Sequence, residues 1–168
     1  MKKICVNHSV LQKAAEEGID SFIKVFVDAI NDSIGGSLTG ESMQELNTDQ
    51  ITLLAYSIIH EEIMDGGFVQ LIHNGYGPFV FKNPFAKVMK MWGLTELGKL
   101  IYKAHELYKK HGEEIERDCT DDEFMALFEK YPKFDDLDDE FVENEEEWTN
   151  LIAHYVDEHI EQFVTIVE

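Results

Sequence analysis

With 168 residues, 44% of them hydrophobic, the chain is long enough to bury a sizeable core as one domain. Its 34 acidic and 14 basic side chains give a formal charge of −20, which excludes naked nucleic acid as a natural direct partner and favours a basic protein. Two cysteines without a Cys-x-x-Cys pair, an initial apolar run too short for a signal peptide, and no stretch near the roughly 18 apolar residues of a membrane span together predict a cytoplasmic, membrane-free protein.

Helical periodicity dominates from the start. Asn7 or Ser9 caps a predicted first helix whose apolar face holds Val10, Ala14, Ile19, Phe22, Ile23, Phe26, Val27 and Ile30, ending at Gly35-Gly36. A glycine-rich linker completes an N-terminal region, 1–44. Asn47 with Gln50 forms a capping box for a second helix that places Ile51, Leu54, Ala55, Ile58, Ile59 and Ile63 toward the core. That helix runs into Gly66-Gly67, where each glycine costs roughly 1 kcal/mol relative to alanine and so implies a backbone or packing requirement. Gln70 and Asn74, one turn apart beyond the pair, are read as securing the loop after Gly75.

Pro84 starts a helix through Trp92, which Gly93 breaks; Leu94 to His111 forms another, stopped by Gly112. Thr120 and Glu123 make a capping box for a short helix through Lys130, ended by Pro132. A last long helix is predicted over about 138–166, where Trp148, Leu151, Ile152, Tyr155, His159, Phe163 and Ile166 recur at spacings of three and four. The reading is an all-α, single-domain bundle of about six or seven helices.

Charge is unevenly divided along these elements. Residues 1–111 carry 13 acids and 11 bases, whereas 112–168 carry 21 acids and 3 bases, so the last third holds −18 of the −20. Segment 82–110 runs the other way, with seven lysines against Glu96 and Glu106. The acidic third interleaves its charges with Phe124, Leu127, Phe128, Phe134, Leu137 and Phe141, the pattern of packed helices and not of a solvated tail.

Chemistry-bearing motifs are sparse. His60-Glu61-Glu62-Ile63-Met64 opens like a zinc-protease helix, but Met64 occupies the place of the second histidine. Asp136, Asp138, Glu140 and Glu147 have the spacing of a calcium loop, but Phe141 stands where the turn needs glycine. Gly35-Gly36-Ser37 lacks the lysine of a phosphate cradle, and no Gly-x-Ser-x-Gly elbow occurs. Phe79, Phe81, Phe85 and Trp92 are read as core. The expectation is therefore a non-enzyme without metal or cofactor.

The stretch Glu62 to Asn74, with Glu62, Gly66, Gly67, Phe68, Gln70 and Asn74 at matching positions, resembles the signature of the DNA-mimic-protein-19-like family; Met64, Asp65, Leu71 and Ile72 differ from its usual residues. The capped start at Leu46 to Gln50 and the run Phe134 to Phe141 agree with it, and the likeness spans about 45–165. The resemblance implies a bacterial all-helical protein. It also implies that acidic side chains imitate duplex DNA and occupy the DNA-binding surface of a transcription factor. The carboxylates that would do so are Asp121, Asp122, Glu123, Asp135, Asp136, Asp138, Asp139, Glu143, Glu145, Glu146 and Glu147. An acidic immunity-type module is the alternative, as is a homodimer in which the lysine segment of one chain meets the acidic third of another.

Overall fold

The computed structural model describes residues 2–168. Among them are ten helices, seven of which have at least seven residues, and two three-residue strands. The all-α class holds, and the expected six or seven helices is somewhat low. The additional elements are short pieces that periodicity assigns to loops or to longer helices. The chain divides into two compact units, one formed by the residues up to Ser57 with Glu147–Glu168, the other by Ile58–Glu146. Two long helices, α4 (Thr48–His73) and α9 (Lys133–Glu158), contribute to both.

In the first unit, β1 (Cys5–Asn7) leads into α1 (His8–Glu17), capped by the Asn7 side chain, which accepts the Ser9 N–H at 2.9 Å. The long first helix expected from periodicity is in fact two. Gly18, at φ 133°, separates α1 from α2 (Ile19–Ser33), a backbone state open to glycine and little else. The break re-aims the chain, so Val10 and Ile19 are exposed while Phe22, Ile23, Phe26 and Ile30 are buried. After α3 (Gly40–Met43), α4 (Thr48–His73) opens with the expected capping box: Asn47 and Gln50 exchange N–H to side-chain hydrogen bonds of 2.8 and 3.0 Å.

Those two amides also close the C-terminal end of the unit. Asn47 donates to the Gln162 carbonyl at 2.7 Å and Gln50 to that of Phe163 at 2.8 Å. The last long helix, α9, spans Lys133–Glu158, beginning earlier and ending earlier than 138–166. His159 leaves helical geometry, α10 (Ile160–Phe163) adds one turn, and β2 (Thr165–Val167) pairs parallel with β1 in the register Cys5 to Thr165. A two-stranded ladder is marginal alone. Here it is backed by Phe163, fully buried and edge-on to Phe26 at 6.2 Å.

The second unit contains the end of α4, then α5 (Gly77–Phe81), α6 (Phe85–Met91), α7 (Thr95–Glu116), α8 (Asp121–Lys130) and the start of α9. Helix α5 lies where a loop was expected, with Pro78 in its first turn, where a missing N–H costs nothing. Gly93, at φ 93°, ends α6 as anticipated. Gly112 does not stop α7, which continues to Glu116. It is a packing glycine: a Cβ there would meet the Tyr108 ring at 2.7 Å, and one at Gly77 would meet the same ring at 2.6 Å. The Tyr108 hydroxyl donates to Glu116 at 2.7 Å, fixing the ring between both. Phe68, Phe134 and Phe141 are completely buried, each stabilising the unit by about 1.5–3 kcal/mol through burial.

Candidate functional site

The glycine pair of α4 serves a sharp interruption. Gly67 has φ 80° and ψ −173°, a conformation confined in practice to glycine, so the helix breaks there and restarts at Phe68. A restarted helix exposes new N–H groups that need acceptors. Asp138, projecting from α9, supplies one: its Oδ1 accepts the Phe68 N–H at 2.8 Å. A Cβ on Gly67 would lie 2.2 Å from Asp138 Oδ2. Gly66 is helical, but its missing side chain makes room for Gln70, whose Cβ a Gly66 Cβ would approach to 2.9 Å.

The remaining signature residues form a network of their own. Gln70 donates to Asp65 at 2.8 Å and to Glu62 at 3.2 Å, and Asn74 donates to the same Glu62 oxygen at 2.8 Å. They do not hold the backbone after Gly75, as expected from sequence. The correction is a matter of reach: Glu62 lies eight and twelve residues back, but the two half-helices bring it alongside.

The eleven carboxylates separate into groups. Asp121, Asp122 and Glu123 occupy the first turn of α8, where negative charge complements the helix N-terminus, and Glu123 accepts the Thr120 N–H at 2.8 Å. Glu145 accepts from, or is paired with, His60 Nε2 at 2.7 Å, so the incomplete zinc motif resolves into a histidine–carboxylate contact. Asp138 faces inward, and burial pushes its carboxyl up to about 7 against the opposing pull of the Phe68 N–H. The calcium-loop spacing lies along one continuous helix, which spreads ligands along its axis instead of wrapping them around an ion.

What remains on α9 in this unit is Asp135, Asp136, Asp139, Glu143 and Glu146, all exposed. At 100° per residue they fall within one arc of roughly 100°, opposite the buried Phe134, Leu137 and Phe141. None of the five is ion-paired among the described residues. Over the eleven steps from Asp135 to Glu146 the helix rises about 16.5 Å, so these charges, separated by one, three, four and three residues, are spaced on average about 4 Å along the axis. One strand of B-DNA presents a charge every 3.4 Å or so. Glu147, also exposed, belongs to the other unit.

The lysine segment begins at Lys82, just after α5, and runs through α6 and α7. Gly98 lets the two helices approach so closely that a Cβ there would sit 2.9 Å from the Ala86 carbonyl oxygen. Lys90 crosses above Tyr102, 4.6 Å from the ring centre, and Lys103 pairs with Glu140 at 3.4 Å. Lys82 and Lys87 are exposed with no ion pair among the described residues. Of the aromatics read as core, Phe81, Phe85 and Trp92 are buried and Phe79 is half-buried.

Sequence reasoning places Asp138 with the surface acids, yet it stands on the stripe of Phe134, Leu137 and Phe141, at their spacing of three and four. That register is the signal that sets it apart. No helix among the described residues is long and apolar enough to cross a membrane.

A family profile described as DMP19-like protein matches residues 44–159. The chain is also 34% identical over 127 residues to a protein of Neisseria meningitidis serogroup B (strain ATCC BAA-335 / MC58) called DNA mimic protein DMP19, a likeness covering 75% of this chain and 77% of that one.

Proposed function

Because the chain belongs to the DMP19-like protein family, we propose that it acts by binding, presenting carboxylates in place of DNA phosphates to a basic, DNA-binding protein such as a transcription factor. The observation that carries this reading is the exposed, unpaired stripe Asp135, Asp136, Asp139, Glu143 and Glu146 on one face of α9. Its charge spacing lies near that of a single DNA strand. A helix anchored by buried aromatics holds such an array in place, so less ordering entropy is lost on binding than with a flexible acidic tail.

In this reading Asp121, Asp122, Glu123 and Glu147 add negative potential, Glu145 is held by His60, and Asp138 supports the array from beneath. Binding needs no catalytic group, metal or cofactor. Association is fast at low ionic strength and weakened by salt, because exposed charges are screened over about 8 Å at physiological salt. The test is capture of candidate DNA-binding proteins on the purified chain at low and high salt, with duplex DNA as competitor. Retention at low salt and displacement by DNA support the reading. Failure of any basic partner to bind, or of DNA to compete, overturns it.

A second reading rests on Lys82 and Lys87, exposed and unpaired in a chain with a large acid excess. It is a homo-oligomer in which the lysines of segment 82–110 of one copy meet the acids of another. Its mark is a molecular mass that falls to one chain as salt rises.

A further inference from the structure

Met64 on α4 and Val142 on α9 are apolar side chains of the second unit left 44% and 49% exposed. The contacts joining the two helices bring them together. As α4 advances from His60 to Phe68, its partners on α9 run back from Glu145 to Asp138, so the helices are antiparallel. Met64, halfway along, stands opposite Phe141 and Val142. Counting about 100° per residue from His60, Met64 lies about 40° round α4, and Glu61 and Asp65 about 100° and 140°. From Glu145, Val142 lies about 60° round α9, and Asp135, Glu146 and Asp139 about 80° to 120°. In antiparallel helices one sense of rotation leads to one side of the seam, and the buried Ile59, Ile63, Phe134, Leu137 and Phe141 lie in the opposite sense. The outer side of the seam is therefore an apolar pair between two acidic rows.

Single exposed apolar residues are ordinary on a protein surface, whereas two that meet along a seam form a patch that association can cover. The surrounding charges decide what covers it. Glu61 and Asp65 are exposed, and neither is ion-paired among the described residues. Asp65 accepts from the uncharged Gln70 amide at 2.8 Å, which leaves its charge in place. Helix α4 carries no lysine or arginine, and α9 carries only Lys133, at its first position. A second acidic surface is repelled here, and an uncharged one would strip the carboxylates of water without compensation. The matching chemistry is an apolar side chain with basic residues on either side. One helix face supplies it, because positions three and four away flank a central residue on both sides.

We propose that the α4–α9 seam seats a basic helix of the partner protein, one apolar side chain resting on Met64 and Val142 while flanking lysines or arginines pair with both acidic rows. This rests on the reading of the α9 stripe as a binding face and deepens it. What is imitated is then a groove and not one strand: two rows of phosphates with an apolar contact between them, the place a thymine methyl takes in the major groove. Helices in contact lie about 8–10 Å apart, on the scale of that groove's roughly 12 Å width.

The experiment measures binding of two synthetic alanine-based helical peptides to the full chain by fluorescence anisotropy across a salt series. In one, a central leucine is flanked by lysines three and four positions away on both sides; in the other, serine replaces the leucine. The wild type is expected to bind the leucine peptide about tenfold more tightly. Met64→Gln with Val142→Thr keeps side-chain size and is expected to abolish that preference while leaving the salt dependence unchanged. Glu61→Gln with Asp65→Asn is expected to keep the preference and make the salt dependence shallower. Equal binding of both peptides by the wild type, or a preference that survives in Met64→Gln with Val142→Thr, overturns the seam and leaves the acidic stripe standing. Binding of neither peptide at low salt overturns both. A change in the chain's own mass in Met64→Gln with Val142→Thr means that a second copy covers the seam, and overturns the proposal.

Discussion

At the scale of single residues, the adjacent glycines have different jobs, and replacing each by alanine separates them. Gly67 occupies backbone space closed to other residues, at a strain cost of about 1–3 kcal/mol for any side chain. Its Cβ would also strike Asp138 and remove the cap on Phe68. Gly66 is helical, so alanine there regains roughly 1 kcal/mol of helix propensity while forcing Gln70 away. Urea unfolding is expected to rank the wild type above Gly66→Ala and Gly66→Ala above Gly67→Ala, the last losing at least about 3 kcal/mol. Equal losses at the two sites would mean that crowding, and not the interrupted backbone, explains the pair.

At the scale of elements, helix starts are where local sequence was most legible. Asn47 with Gln50 and Thr120 with Glu123 form the reciprocal hydrogen bonds their spacing announces, because every participant lies within four residues. The consequences of the two boxes differ. Thr120 caps an exposed helix and does nothing further, so Thr120→Ala is expected to cost about 1 kcal/mol in urea unfolding. Asn47 also donates to Gln162 across 115 residues. Asn47→Ala therefore loses a cap and a tertiary hydrogen bond, and a deficit of about 2 kcal/mol is expected. A loss no larger than that of Thr120→Ala would show that the Gln162 contact contributes little.

The same distinction explains what the sequence hid. The β1–β2 ladder joins residues 160 apart, so the end of the chain reads locally as more helix when it in fact lies in register beside Cys5, Val6 and Asn7, with the Thr165 N–H donating to the Ile4 carbonyl at 2.7 Å. Gly112 reads as a stop because the neighbour that requires it, the Tyr108 ring, is visible only once both occupy one helix face. Asp138 shares its composition with the acids around it, and its partner is seventy residues away. The acidic stripe itself was legible as an acidic face, since helical periodicity alone places Asp139, Glu143 and Glu146 together.

At the scale of the whole molecule, the decisive quantity is a charge of −20 placed mostly in the last third of the chain. Like charges at neighbouring positions on a helix destabilise it, and a fold optimised only for stability would disperse them. Asp135 and Asp136 have a local justification at the N-terminus of α9, but Asp139, Glu143 and Glu146 lie beyond the first turn and have no such compensation. Replacing these three with Asn, Gln and Gln keeps side-chain size while removing repulsion. The variant is expected to show a higher urea midpoint than the wild type at low salt, with the advantage shrinking as salt screens the wild type. If the stripe serves binding, the same variant loses affinity for a captured basic partner by about tenfold or more at low salt, with a shallower salt dependence. Greater stability with unchanged capture would place the binding charge elsewhere, and α8 with Asp121 and Asp122 would be the next surface to neutralise.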